Sequence, residues 1–238
     1  MTLSNFILPS YLVDTPYDLY NQKKKSILLP GKLNKNDCAD ELTIEDDGLK
    51  IFYNVQGHRS WYIAAAVRTD FPIPVEAGLF YFEVYIINQG LDGLIGIGMS
   101  EPNVNLNGQP GWNERSYGYH GDDGLKFISN GHRGYDYGPL YTTDDTIGCC
   151  VNFFDNTCFY TKNGISLGMA FDDISGGELY PSFGMRNPKA CIEVNFGQRP
   201  FVFDIDQYAK RIFLNAKEKN EWAKLSEIYK LSKSAIEQ

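Results

Sequence analysis

The chain has 238 residues, a net charge of −8, 43% hydrophobic residues and 14% aromatic residues. So much apolar material excludes a chain disordered throughout. The acidic balance argues against a nucleic-acid groove and against an anionic membrane surface, so neither nucleic acid nor membrane is expected as a partner.

Taken in order, residues 1–35 read as an irregular lead-in that crosses the domain surface and ends in a short strand, Ser26 to Leu29, stopped by Pro30-Gly31. From Leu42 onward short strands recur with turn signals between them. Leu42 to Glu45 ends at Asp46-Asp47-Gly48, and Leu49 to Val55 ends at Gln56-Gly57-His58. Ala64 to Arg68 precedes Pro72 and Pro74, which cannot donate to a central ladder and so mark a loop or an edge. Leu79 to Ile87 is a long strand, with Gly93 to Ser100 following at hairpin distance and Gly96 and Gly98 admitting a close neighbour. Next come Ser116 to His120, a turn at Gly121-Asp122-Asp123-Gly124, and Leu125 to Ser129.

The stretch from Thr146 to Met169 is the strongest signal. Ile147, Cys149, Val151 and Phe153 alternate with Gly148, Cys150, Asn152 and Phe154, the period of a strand. Asp155-Asn156 and then Asn163-Gly164 turn the chain back twice, which makes a three-stranded meander with large apolar groups on both faces. Such a sheet must be covered on both sides. Tyr180 to Met185 and Ala190 to Phe196 complete an all-β pattern, that of an antiparallel β-sandwich of two sheets. At Asp204 the period changes: Asp204 and Gln207 form a capping box, and Ile205, Tyr208, Ile212, Ala216, Trp222, Leu225, Ile228 and Tyr229 recur at helical spacing. The expected organisation is therefore a lead-in at 1–40, the sandwich at 41–204 and an amphipathic helical tail at 205–238, whose apolar stripe docks on its own sandwich or on another subunit.

Five cysteines, Cys38, Cys149, Cys150, Cys158 and Cys191, include no Cys-x-x-Cys pair and sit in or beside strands. They read as reduced core residues rather than a disulfide framework. With no secretory leader pattern at the N-terminus and no apolar run of membrane-spanning length, the expected location is cytoplasm or nucleus.

Catalytic chemistry finds little support. His58, His120 and His132 are too few and too scattered for a convincing metal site. His120 with Asp122 and Asp123 mimics a metal or acid–base cluster, but the tight glycine-framed turn accounts for the carboxylates, because Asp bonds the local backbone there. Cys149 and Cys150 lie mid-strand without a thiolate-stabilising neighbour. Gly96-x-Gly98 lacks a third glycine and a following helix, so it is not a nucleotide loop. The expectation is no enzyme, no cofactor and no metal. Trp112 after Pro110-Gly111 reads as a packing anchor at a turn, and Tyr117 and Tyr119, on one strand face, as core.

Tyr81-Phe82-Glu83-Val84, Gly93-Leu94-Ile95-Gly96-Ile97-Gly98, Pro110-Gly111-Trp112, Ser116 through Gly124, Asp145 through Asn152, Cys158 through Gly164 and Asn195-Phe196-Gly197-Gln198, in this order, resemble the SPRY domain. The resemblance is to the Ran-binding-protein-M subfamily, scaffold subunits of the GID/CTLH ubiquitin ligase, and covers about residues 60 to 205. It implies a bent sandwich, no catalysis, and loops at one end that bind short extended segments of other proteins, with GID/CTLH subunits among the implied partners. Family members continue into LisH and CTLH helical regions, which the residues after 205 do not match. In the similar SPRY-and-SOCS-box family an Arg and a Pro grip short peptides; Arg68 matches that Arg, and Pro72 or Pro74 the Pro. The opposite wall there carries Trp-Gly, whereas here Gly184-Met185-Arg186-Asn187-Pro188 stands in its place, so the peptide preference does not transfer.

The expected peptide site thus comprises Arg68, Asp70, Pro72 and Pro74 on one loop, Met185, Arg186 and Asn187 on a second, and Ile128, Ser129 and Tyr135 as a third side. Arg68 is expected to donate to a partner carboxylate or carbonyl, with the prolines in apolar contact. The competing reading is a structural scaffold whose tail helix does the assembling.

Overall fold

A computed structural model of the chain describes residues 8–24, 27–54, 63–128, 133–174 and 177–222. Strands are β1 (Leu33–Cys38), β2 (Leu42–Ile44), β3 (Lys50–Tyr53), β4 (Ala65–Thr69), β5 (Leu79–Asn88), β6 (Ile95–Ser100), β7 (Ser116–His120), β8 (Leu125–Ile128), β9 (Gly134–Asp136), β10 (Thr146–Asn152), β11 (Thr157–Lys162), β12 (Ile165–Phe171), β13 (Tyr180–Met185) and β14 (Cys191–Asn195). They form two seven-stranded antiparallel sheets, in the orders β1-β4-β13-β6-β7-β8-β9 and β12-β11-β10-β5-β14-β3-β2. Helices α1 (Pro16–Lys24) and α2 (Ile205–Glu218) flank them.

The meander forms because its turns can. Asn156 takes φ 54°, and Asn163 and Gly164 take φ 50° and 78°, the left-handed values a two-residue hairpin needs. Beside it β5 is buried along almost its whole length, which requires cover on both faces. On its inner face the Phe82 ring packs edge-on against Phe183 of the opposite sheet at 5.6 Å. On its outer face Tyr81 packs against Phe201 at 5.1 Å and Phe203 at 5.6 Å, and its backbone N–H donates to the Tyr11 hydroxyl at 2.8 Å. Here too lies Glu83, only 3% exposed. Its carboxylate accepts from the backbone N–H of Val202 (2.9 Å) and Phe203 (3.0 Å) and from the Tyr81 hydroxyl (2.8 Å).

That anchorage delivers the chain to α2, whose Asp204 cap accepts from the Gln207 N–H at 3.0 Å. The helix lies on its own sandwich: Tyr208 meets Phe159 at 5.0 Å, Phe213 meets Phe154 at 6.2 Å, and Trp222 meets Phe154 at 4.9 Å. For the described residues, then, the tail docks in cis. Leu225, Ile228 and Tyr229 lie outside them.

The structure departs from expectation in four places. No strand runs through Ile27–Leu29: the Ile27 carbonyl accepts from the Tyr17 hydroxyl and the Asn21 amide, and its N–H donates to Asn21, so side chains of α1 take the bonds a ladder would have used. Helix α1 itself starts at a Thr-Pro pair, with Pro16 where its missing N–H costs nothing. The sheet's first strand is β1, so the sandwich begins at Leu33 rather than at 41. Finally, β5 and β6 are no hairpin: they lie in different sheets, and the 89–94 link crosses between them, its Leu91 N–H held by Asn187 Oδ1 at 3.0 Å.

Replacing Glu83 by Ala leaves the backbone donors of Val202 and Phe203 unpaired, while the Tyr81 hydroxyl keeps Thr161 Oγ1 at 2.9 Å. At roughly 1–3 kcal/mol for each orphaned group, urea unfolding of Glu83→Ala is expected to show a loss of at least ~2 kcal/mol, and proteolysis should reach the 201–222 segment first.

Candidate functional site

The outer face of the first sheet has a glycine floor. Gly184 and Gly96 sit side by side, as do Gly98 and Gly118. A Cβ on Gly184 would stand 2.2 Å from Gln109 Oε1, and one on Gly118 2.1 Å from the Pro110 carbonyl oxygen. Bare backbone is therefore what lets the 101–115 loop lie flat on the sheet. Arg68 ties that loop down. Its guanidinium forms a two-pronged pair with Asp37 (2.7 and 2.8 Å) and donates to the carbonyls of Pro102 and Val104, each at 2.8 Å.

Where the loop ends there is a cavity of about 170 Å³, lined by Leu94, Gln109, Trp112, His120, Asp122, Asp123, Phe127 and Arg186. Its walls are aromatic: His120 stacks on Phe127 at 4.1 Å, and the Arg186 guanidinium lies 5.8 Å from the centre of the Trp112 ring. His120 Nε2 is 2.8 Å from the Pro110 carbonyl, which can only accept, so Nε2 carries the proton and Nδ1 is the acceptor. Burial pushes this imidazole down to about 4, so it is neutral at pH 7. In the turn, Asp123 Oδ1 accepts from the Leu125 N–H at 2.9 Å, as a turn Asp should. Asp122 does not behave that way: its Oδ1 is buried and has no partner. Burial, and then the neighbouring Asp123, push its carboxyl up to about 6. Gln109 is 3% exposed, yet neither Oε1 nor Nε2 has a partner. A ring nitrogen of His120 and carboxylate oxygens of Asp122 and Asp123 lie within 4.8 Å of one another, a spacing that suits cations in general.

The ten residues expected to bind a peptide are not brought together. In the β4–β13 register Ser182 faces Arg68 and Met185 faces Ala65, while the Ile73 N–H bonds the Leu179 carbonyl. The 70–74 loop and the 185–187 segment therefore sit at opposite ends of β13, about 20 Å apart at ~3.3 Å per residue. Arg68, 3% exposed, is committed to Asp37 and the 101–115 loop and has no donor turned outward. Asp70 caps the lead-in by accepting from the N–H groups of Gly31 and Lys32. Pro74 is buried and Pro72 half-buried. Ile128 ends β8 on the 70–74 side; Tyr135, 39% exposed, stands on the edge strand β9; Ser129 lies outside the described residues. Met185 and Asn187 are fully buried. Arg186 alone of the ten lines the cavity. Gln109 and Asp122 were missed as site residues, since an isolated amide has no pattern and turn chemistry accounted for the carboxylate. Trp112, expected to be an anchor, forms a cavity wall.

Burial pushes the Cys150 and Cys158 thiols well above their ordinary value, which makes these two poor nucleophiles.

The SPRY domain profile matches residues 79–199. Ran-binding protein 9 of Xenopus laevis is 51% identical over 181 residues, which are 76% of this chain and 32% of that protein. Ran-binding protein 10 of Danio rerio is 49% identical over 180 residues, 76% of this chain and 29% of that protein. The chain thus spans about a third of the length of these curated relatives. The crystal structure of a human SPRY domain superposes with a TM-score of 0.59 over 68% of this chain and 98% of that one, at 24% identity, a likeness of fold.

Two stability measurements follow. Arg68→Ala should cost about 3 kcal/mol by leaving Asp37 uncompensated, and Arg68→Lys should recover little, because a point charge cannot make the two-pronged contact. Asp122 has a folded-state value of about 6 against an ordinary 3.8, so its ionisation destabilises the fold as pH rises through that window. Asp122→Asn is therefore expected to melt higher than wild type at pH 7, with the difference closing below about pH 4 in thermal scans.

Proposed function

The chain belongs to the SPRY domain family, whose role is protein–protein interaction, and from that premise we propose that it is a non-catalytic reader of an extended segment of a partner protein. The receptor in this reading is the Trp112–His120–Arg186 cavity at the Met185 end of the first sheet. The 70–74 loop at the other end takes no part. One observation carries the reading: the Gln109 amide, 3% exposed and without a protein partner, lines a cavity walled by aromatic rings. A polar group kept without a bond in the free protein gains one when a ligand enters, and rigid walls lose little entropy on binding.

Trp112 and Arg186 give the partner the planar, amphipathic surface favoured at interfaces. On the resemblance to the Ran-binding-protein-M subfamily, we further propose that the chain recruits partners to a ubiquitin-ligase-type scaffold, with GID/CTLH subunits among its neighbours. Five free cysteines suit the reducing conditions of cytoplasm or nucleus. A reading in which α2 does the assembling is less well supported, because the described part of that helix spends its aromatic stripe on Phe154 and Phe159.

The test compares three forms in a pull-down quantified by mass spectrometry: wild type, Arg186→Glu in the cavity wall, and Phe71→Asp at the opposite end. Proteins enriched by wild type should be lost with Arg186→Glu and kept with Phe71→Asp, all three melting within a few degrees of one another. The reverse result would move the reader to the 70–74 loop. Loss only on deleting residues 223–238 would instead make the tail the assembly device.

A further inference from the structure

Resting on the reading of this cavity as the receptor, we propose that its occupant is a lysine side chain of the partner segment, with the ammonium seated among His120, Asp122 and Asp123 and the methylene stem lying between Trp112, Phe127 and Leu94.

Acceptors gather on one side of the cavity. The Asp122 Oδ1 is buried and unpartnered, the Asp123 carboxylate lies exposed beside it, and a ring nitrogen of the buried His120 is close to both. Ligand atoms of these three groups fall within 4.8 Å of one another. An ammonium bonding three acceptors at ~2.8 Å in tetrahedral directions sets them ~4.6 Å apart. Independently of the carboxylates, the Gln109 amide lines the same space while 3% exposed and without a bond, offering one more acceptor to the head and a donor to a carbonyl of the segment.

Size selects against a bare ion. The cavity holds about 170 Å³, whereas a water occupies ~30 Å³ and an apolar cavity of ~150 Å³ takes up a benzene-sized molecule. A four-methylene stem ending in an ammonium fills such a space and leaves its head at the carboxylates. Charge agrees. Asp122 and Asp123 face one cation, Arg186, whose guanidinium lies against the Trp112 ring, and the imidazole is neutral at pH 7. A cation entering beside two carboxylates, in contact with aromatic faces, gains on both counts.

The experiment is a nitrogen-15 NMR titration of the whole chain, following the Trp112 indole N–H, identified by its loss in Trp112→Phe. The probes are four capped tripeptides, acetyl-Gly-X-Gly-amide, with X as lysine, Nε-acetyl-lysine, norleucine or arginine. The lysine peptide should shift the indole saturably, and Asp122→Asn, its fold checked by the thermal scan, should weaken it by about tenfold, roughly 1.4 kcal/mol. Equal shifts from acetyl-lysine or norleucine, tighter binding of arginine, or an unchanged affinity in Asp122→Asn would each overturn the lysine assignment. So would zinc or magnesium chloride alone saturating the same resonance at micromolar concentration. If no tripeptide binds while partner capture still depends on Arg186, the lysine assignment fails and the cavity reading stands; if capture ignores Arg186, the cavity reading fails as well.

Discussion

A carboxylate beneath a sheet is tolerable only when donors surround it, and Glu83 is the group on which the layering of this protein turns. Three donors converge on it, two of them backbone N–H groups of Val202 and Phe203, so a buried charge that would otherwise cost several kcal/mol becomes the fastening of the chain's last described stretch. With 201–203 pinned there, Phe201 and Phe203 close over Tyr81, and α2 starts in register with Phe154 and Phe159. The second sheet is thereby sealed on its outer side by its own chain. The first sheet is covered differently. Its outer face carries a loop rather than a helix, and the loop stops short at the Met185 end, where the cavity opens.

That difference in cover explains where recognition falls. A helix packed by aromatic rings shields everything beneath it. A loop resting on glycines follows the sheet closely and leaves a gap where it turns back, so Gln109 is drawn down between Gly96 and Gly184 while Trp112 stands up beside His120. Arg68 is central to this arrangement without facing a partner. By holding the carbonyls of Pro102 and Val104 it fixes the near end of the loop, and the far end carries the cavity's amide and indole. It is a positioning residue, buried because its work is inward.

The contrast between fold and site shows what a sequence can carry. The meander was legible because its determinants are local: strict alternation and two turns that demand Asn or Gly. The capped tail helix was legible for the same reason. Local reasoning failed wherever the deciding contact was distant. The Tyr17 and Asn21 side chains that take the bonds of Ile27 were invisible in the apolar run 26–29, and the crossing of 89–94 between sheets depends on Asn187, 96 residues along from Leu91. Arg68 looked like a reader because it stands beside an exposed, proline-rich loop, but its partner Asp37 is 31 residues away on another strand. Two segments matched to opposite walls of one pocket were separated by nothing more than the direction of β13, which residue spacing does not reveal.

Asp122 and Gln109 share one energetic oddity that bears on what the cavity is for. Gln109 is a buried amide without a partner and Asp122 keeps one buried oxygen without one, and folding alone would favour replacing either. The glycines at Gly96, Gly118 and Gly184 hold the loop close, since a side chain at any of them would collide with Gln109, Pro110 or His120. Two such polar groups at one place set the cavity apart from Glu83, whose carboxylate is fully engaged by donors. Free energy withheld from folding in this way is recovered on binding, because an incoming donor meets acceptors already held in place. The same logic sets the selectivity. A ligand that cannot complete those bonds leaves the groups as unsatisfied as before and gains only apolar contact, so the chemistry of the missing bonds, more than the shape of the walls, decides what the cavity accepts.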